Sequence, residues 1–318
     1  MSSDPMLALA FFALALCAAL LLGTAAKDKR LYAIAIASSM IAAVATALLL
    51  GQGGSLGVFA LGTAVLSCLI AMCYISRSKP FTAMLLFLAV VVVACIFYYG
   101  DTVLVGMFGI GSVCGLLYRD FMKHDHSTKK KRSVETNRDV VQISLGIVVF
   151  VLLMMLDLPY AIYAEFALII AGYAVNNLFA GRGAGSAYER VLATLERSNT
   201  TYGIGAVYLA VGTMLVIGFV GSKALMLFGI ATLFFADSAA TIVGMHFGRL
   251  HLPHNKSKTL EGTLAFFLVL ALIGLPLIGV YAVPLAAVLA LIESAKSPLD
   301  DNLRSGIAIA LLGIAMRL

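Results

Sequence analysis

The sequence predicts an all-α protein, a polytopic bundle of about twelve transmembrane helices. Three observations predict it. The first is composition: 62% of the 318 residues are hydrophobic, 12% are charged, and the mean hydropathy is +1.02. An ordinary soluble domain is about 45–50% apolar and about 25% charged. The second is the repeated occurrence of apolar runs near the roughly 20 residues that cross a hydrocarbon core. In lipid such a run must satisfy its own backbone, so it is a helix and not a strand. The third is charge placement. With the spans set as below, all but two of the 22 Lys and Arg fall in loops on one side, the exceptions being Lys223 and Arg317. The basic side is the cytoplasmic one, which leaves both termini non-cytoplasmic.

Taken in order, the spans lie near 6–25, 31–50, 56–76, 81–99, 102–118, 140–157, 159–180, 203–220, 224–245, 260–280, 282–294 and 303–317. The first reads as a retained span, not a signal peptide, because Lys27, Lys29 and Arg30 follow its apolar run and none precedes it. The pair after Gly274 is interrupted by Pro276 and Pro284, and its second member is short. The outer turns, such as Gly51–Ser55 and Val220–Lys223, have no room for a site. The cytoplasmic loops hold nearly all the polar chemistry.

Three segments follow: N-terminal helices over 1–118, a basic loop over 119–132, and a feature-bearing domain over 133–318. The Lys129–Arg132 run reads as an anionic-lipid contact and topology signal. His124, Asp125 and His126 read as solvated residues of that loop. Glu189, Arg190, Glu196 and Arg197 suit an amphipathic interfacial segment. Glu165, with Asn176 and Asn177 further along the same span, either pairs inside the bundle or lines a lipid path. The five cysteines lie in apolar runs and offer neither a disulfide framework nor zinc spacing. The formal charge of +6 favours anionic headgroups or phosphates as neighbours, and no basic domain outside the spans suggests nucleic acid.

The chemistry concentrates between Phe234 and Phe267. A carboxylate at membrane depth costs at least about 2.5–3.5 kcal/mol unless something satisfies it, so Asp237 and Glu261 ask for a partner. Asp237, Thr241, Gly244 and Gly248 form one helical stripe. Glycines there admit either a ligand or a neighbouring helix. His251, His254, Lys256 and Lys258 crowd the next segment. A helix then opens near Thr259 with Glu261, Gly262 and Thr263 in its first turn. A helix N-terminus and lysines attract phosphate, and carboxylates beside them make sense as Mg²⁺ ligands. A second acidic loop carries Glu293, Lys296, Asp300, Asp301 and Asn302; Asp301 and Asn302 are also good N-cap types for the last helix.

Read in order, Ala236–Ala240 with Asp237, then Gly244 and Gly248, then Lys258–Thr263 resemble the dolichol kinase, polyprenol kinase and phytol kinase family of CTP-using membrane lipid kinases. Glu293 and the pair Asp301, Asn302 resemble that family's later acidic helix and Asp-Asn pair. Glu135 and Arg138 stand where the family has Glu-x-x-Arg-Lys-x-x-His, but Asp139 replaces the Lys and Gln142 the His. The resemblance covers roughly 133–318.

It implies a lipid-alcohol kinase: CTP and Mg²⁺ at the cytoplasmic face, and an isoprenoid alcohol entering from the membrane. On that reading Asp237, Lys258 and Glu261 are catalytic. Asp237, Glu261, Glu293 and Asp301 hold Mg²⁺. Gly244, Gly248, Lys256, Thr259, Gly262, Thr263 and Asn302 bind the nucleotide. The rival enzyme is a CTP-dependent cytidylyltransferase acting on a lipid phosphate. A transporter or lipid scaffold predicts polar residues at mid-span, whereas most of these sit at span ends.

Overall fold

The structure, a computed structural model, describes residues 5–24, 26, 28–51, 54–73, 101–123, 132–179 and 203–316. It is mostly helical. In chain order the helices are α1 (Pro5–Thr24), α2 (Lys29–Leu49), α3 (Gly54–Cys73), α4 (Val103–Lys123), α5 (Arg132–Met155), α6 (Leu158–Phe179), α7 (Ile204–Phe219), α8 (Lys223–Ala231), α9 (Asp237–Phe247), α10 (Leu260–Ile278), α11 (Ala282–Ser294) and α12 (Asp301–Ala315). The expected span near 81–99 and the basic loop from His124 to Lys131 lie outside the described residues.

Among the described residues, seven stretches are long and apolar enough to cross a membrane. The last of these, Leu260–Ser294, contains a 3₁₀ turn at Gly279–Tyr281 and doubles back there. Gly279 takes φ +63°, a conformation only glycine adopts readily. A Cβ on Gly274 would lie 2.7 Å from that of Ala282, so α10 and α11 form a tight antiparallel hairpin. Pro284 falls in the first turn of α11, where a missing N–H costs nothing. The two apolar runs read from the sequence here are thus two helices.

The chain divides into two compact units. The first comprises Met1–Asp125, Phe166–Leu178 and Ile314–Leu318. In it α3 packs against α4 with small residues at the contact: a Cβ on Gly115 would lie 2.7 Å from Ala71 Cβ. Phe11 of α1 stacks on Phe59 of α3 at 4.3 Å between centroids.

The second unit comprises His126–Glu165 and Phe179–Gly313. Helix α5 buries one stripe there: Glu135, Asp139, Gln142, Gly146, Val149 and Leu153. The spacing follows the helical repeat, polar in its first half and apolar in its second. Helices α7 and α12 cross at two glycines. A Cβ on Gly306 would stand 2.5 Å from Gly212 Cα, and one on Gly212 would stand 2.8 Å from Asn302 O. Gly306→Leu is therefore expected to destabilise the protein by about 1–3 kcal/mol, read as a lower midpoint of thermal unfolding in detergent. An unchanged midpoint would show that the crossing gives way at no cost.

Among the described residues, a departure from an all-α chain lies between α9 and α10. The sequence there reads as a loop, yet His251–Leu252 (β1) pairs antiparallel with Asn255–Thr259 (β2). Its composition has little strand preference. Its ends are instead brought together by the helices. Gly262 sits against Gly244 and Ala240, and Leu260 N–H bonds Leu250 O at 2.8 Å.

Candidate functional site

Helices α8 and α9 are one continuous rod with a π-helical turn, Thr232–Ala236, between them. Such turns are uncommon and often mark functional sites. Asp237 is the residue that follows. Its N–H reaches five residues back to Thr232 O, so Leu233 O loses its usual helical donor. Gln142 of α5 supplies one: its Nε2 donates to Leu233 O at 2.7 Å and to Asp237 Oδ2 at 3.4 Å.

Three carboxylates converge at this point. Asp237, Glu293 at the end of α11 and Asp301 at the start of α12 each bring an oxygen within 4.8 Å of the others. Asp237 and Glu293 are buried and Asp301 is half-buried. Lys258, on β2, lies between them. Its Nζ donates to Glu293 Oε1 and, at 2.8 Å, to Asp301 Oδ2. Burial pulls the Lys258 ammonium down, but Glu293, Asp301 and Asp237 together outweigh it and its pKa is raised. Lys258 is held charged.

Arg304 closes the loop between α11 and α12. It donates to Glu293 O at 2.6 Å, to Ala295 O at 2.7 Å and to Asp301 Oδ1 at 2.9 Å. Asp300 accepts from Asn302 N–H at 3.0 Å and so caps α12. That leaves the Asp301 side chain for Lys258 and Arg304. Burial first, and then the neighbouring Asp301, push the Asp300 carboxyl up to about 6; Arg138 acts in the opposite direction. Arg138 itself pairs with Glu135 at 3.0 Å.

A cavity of about 150 Å³ opens beside Lys258 and Glu293, lined also by Thr241, Gly244, His251, Ser257, Gly262 and Thr263. Of the residues singled out from sequence, Asp237, Lys258, Glu293 and Asp301 come together, and Gly244, Thr259, Gly262 and Thr263 line the adjoining space. Thr259 caps α10, accepting from Gly262 N–H at 3.2 Å. Gly244 and Gly262 serve the close approach of α9 and α10, and a Cβ on Gly248 would lie 2.7 Å from Thr259 Oγ1. Lys256 is exposed and does not line the cavity. Asn302 is buried, with its backbone against Gly212 and its Oδ1 without a hydrogen-bond partner.

Glu261 departs from the expected metal role. Its carboxylate turns back to accept from Arg249 N–H at 3.0 Å and Leu250 N–H at 3.2 Å, and it is not in the carboxylate group. The free N–H groups ahead of the hairpin compete for it at short range. Arg304, which holds the loop between α11 and α12, was not among the sequence candidates; Arg138 and Gln142 were noted at the family's motif positions, but neither was assigned a place in the site. For Gln142 a signal existed, since a polar residue lies on the buried stripe of an otherwise apolar span. Glu165 is buried on α6 with neither carboxylate oxygen hydrogen-bonded.

No family model matches the chain, and no solved structure matches it. An uncharacterized protein of Methanocaldococcus jannaschii is 39% identical over 103 residues, which are 32% of this chain and 53% of that protein. The chain thus spans about half the length of this relative.

Proposed function

We propose that this protein is a membrane kinase that transfers the γ-phosphoryl group of CTP to a long-chain isoprenoid alcohol of the dolichol or polyprenol type, with Mg²⁺, at the cytoplasmic ends of its helices. The observation that carries the reading is the meeting of Asp237, Glu293 and Asp301 within 4.8 Å, beside Lys258 and at the mouth of a cavity. CTP and the alcohol rest on the resemblance around Asp237 and Lys258–Thr263.

The donor set fits Mg²⁺, a hard cation that takes carboxylate oxygens at about 2.1 Å. Asp237, Glu293 and Asp301 would hold it, and it would neutralise charge on the phosphates. Glu261 is left out of this assignment. Lys258 offers a fixed positive charge for the terminal phosphate, and the hydroxyls of Thr241, Ser257 and Thr263 line the space beside it. In the transfer the alcohol oxygen bonds to the γ-phosphorus, the bond to the bridging oxygen breaks, and CDP leaves. The alcohol proton passes to a carboxylate of the site. Most of what such a site contributes is positioning and charge neutralisation.

A second reading moves CMP to a lipid phosphate and releases pyrophosphate. It is favoured by Arg138, a cation close enough to act on Asp300, which could hold the acceptor phosphate. CTP labelled at the γ or the α position, offered with a polyprenol and separately with a lipid phosphate, decides between them. The kinase reading expects γ label in the lipid fraction with polyprenol and no α label. Lipid-bound α label overturns it and leaves the metal site intact.

The twelve-span topology is part of the proposal. In a cysteine-free background, Lys130→Cys and Asn255→Cys are expected to label from the cytoplasmic side and Gly53→Cys from the other. Opposite labelling of positions 130 and 255 would show that the spans between them are miscounted.

A further inference from the structure

We infer that Gln142 is the positioning residue of the site: it pins the π-turn and thereby aims the Asp237 carboxylate at Glu293 and Asp301. The inference rests on the metal reading above and goes beyond it. Gln142 lies on α5, remote in sequence from every ligand, and is only 4% exposed. Its amide nitrogen serves two acceptors at the π-turn. Nε2 donates to Leu233 O at 2.7 Å and reaches Asp237 Oδ2 at 3.4 Å.

The backbone explains why an amide is needed. With Asp237 N–H bonded to Thr232 O, the carbonyl of Leu233 is stripped of its ordinary partner. A buried carbonyl in an apolar bundle requires a donor. Without one, the turn gains by reverting to the α-helical register, in which Asp237 N–H takes Leu233 O. Closing the extra residue of a π-turn rotates every following residue by about 100° about the helix axis, since an α-helix has 3.6 residues per turn. Asp237 is the first residue after the turn, so its side chain would leave the group. A glutamate at 142 could not do the same work, because it has no N–H and would set a negative charge against both oxygens. The rest of the α5 contact is steric: Gly146, one turn along, packs on the side chain of Phe234.

The test uses the purified full chain and Mn²⁺ as the probe, read by the loss of free-ion signal in electron paramagnetic resonance. Gln142→Met keeps volume and removes the donor. It is expected to weaken Mn²⁺ binding by about 10- to 100-fold, the usual effect of losing a ligand's supporting hydrogen bond. Gln142→Asn, one methylene shorter, is expected to act in the same direction and serves should the first variant not fold. Val149→Ala, two turns along the same buried stripe of α5, loosens the helix contact without touching the amide or the π-turn and is expected to leave Mn²⁺ binding within about twofold. Because Gln142 acts through Asp237, adding Gln142→Met to Asp237→Asn should cause little further loss. Unchanged binding in both Gln142 variants overturns the proposal, as does equal weakening by Val149→Ala or full additivity with Asp237→Asn. If Asp237→Asn and Glu293→Gln also leave Mn²⁺ binding unchanged, the metal reading itself has failed.

Discussion

Asp237→Asn is expected to lower turnover by roughly a hundredfold to a thousandfold, the scale seen when one preorganised charge-stabilising group is removed from an active site. The substitution keeps shape and can still accept from Gln142, so insertion and folding should survive. What it removes is one of three carboxylate charges within 4.8 Å of one another. The informative comparison is Glu261→Gln. Its carboxylate is engaged by the N–H groups of Arg249 and Leu250, outside the group. It should therefore change turnover by no more than a few-fold. Rates with CTP and polyprenol at saturating Mg²⁺ check both. Near-normal turnover of Asp237→Asn would remove Asp237 from the site. An equal loss in Glu261→Gln would put the metal nearer the start of α10 than the carboxylate group does.

The contrast between these two residues shows what was legible in the sequence. An acid or a lysine at the mouth of an apolar span is conspicuous because its surroundings cannot satisfy it. Asp237 was found that way, Lys258 by its place in a polar loop before a helix start, and Glu293 and Asp301 by a cluster of acids in one loop and by the resemblance. Which of several such groups meet is set by short-range competition that composition does not reveal. Glu261 had two backbone N–H groups at hand and took them. The helix pattern was legible for the same reason as the spans, since lipid admits few alternatives. The β1–β2 hairpin was not, because the approach of Gly244 to Gly262 produces it and not strand preference. Gln142 itself was conspicuous, a polar residue on an apolar span, but what it does was not. Its role depends on a π-turn, and a π-turn differs from a helix by one residue in register, with no sequence mark of its own.

Lys258→Met is expected to have the other large effect, on stability more than on shape. Lys258 is 17% exposed and pairs with Glu293, whose side chain is 2% exposed. Removing one partner of such a pair leaves an uncompensated buried charge, a loss of about 3 kcal/mol or more. Arg304 still reaches Asp301 but meets Glu293 only at its backbone carbonyl. Three carboxylates would then face each other without the ammonium that Glu293 and Asp301 share. The variant should accordingly unfold at a lower temperature in metal-free detergent solution. The metal reading makes a sharper claim about what restores it. A divalent cation replaces the missing positive charge, and Lys258 no longer competes for Glu293 and Asp301. Mg²⁺ should thus raise the unfolding midpoint of Lys258→Met more than that of the wild type. Binding to the folded state alone contributes about 2.7 kcal/mol at a hundred times the dissociation constant, enough to recover most of the loss. Turnover should not recover, because the positive charge for the terminal phosphate is gone. Thermal unfolding followed over a Mg²⁺ titration, with Na⁺ at equal ionic strength as control, reads the stability part directly. If Mg²⁺ shifts the variant no more than Na⁺ does, the carboxylates do not form a divalent cation site, and Lys258 is the permanent counter-ion of a purely structural cluster.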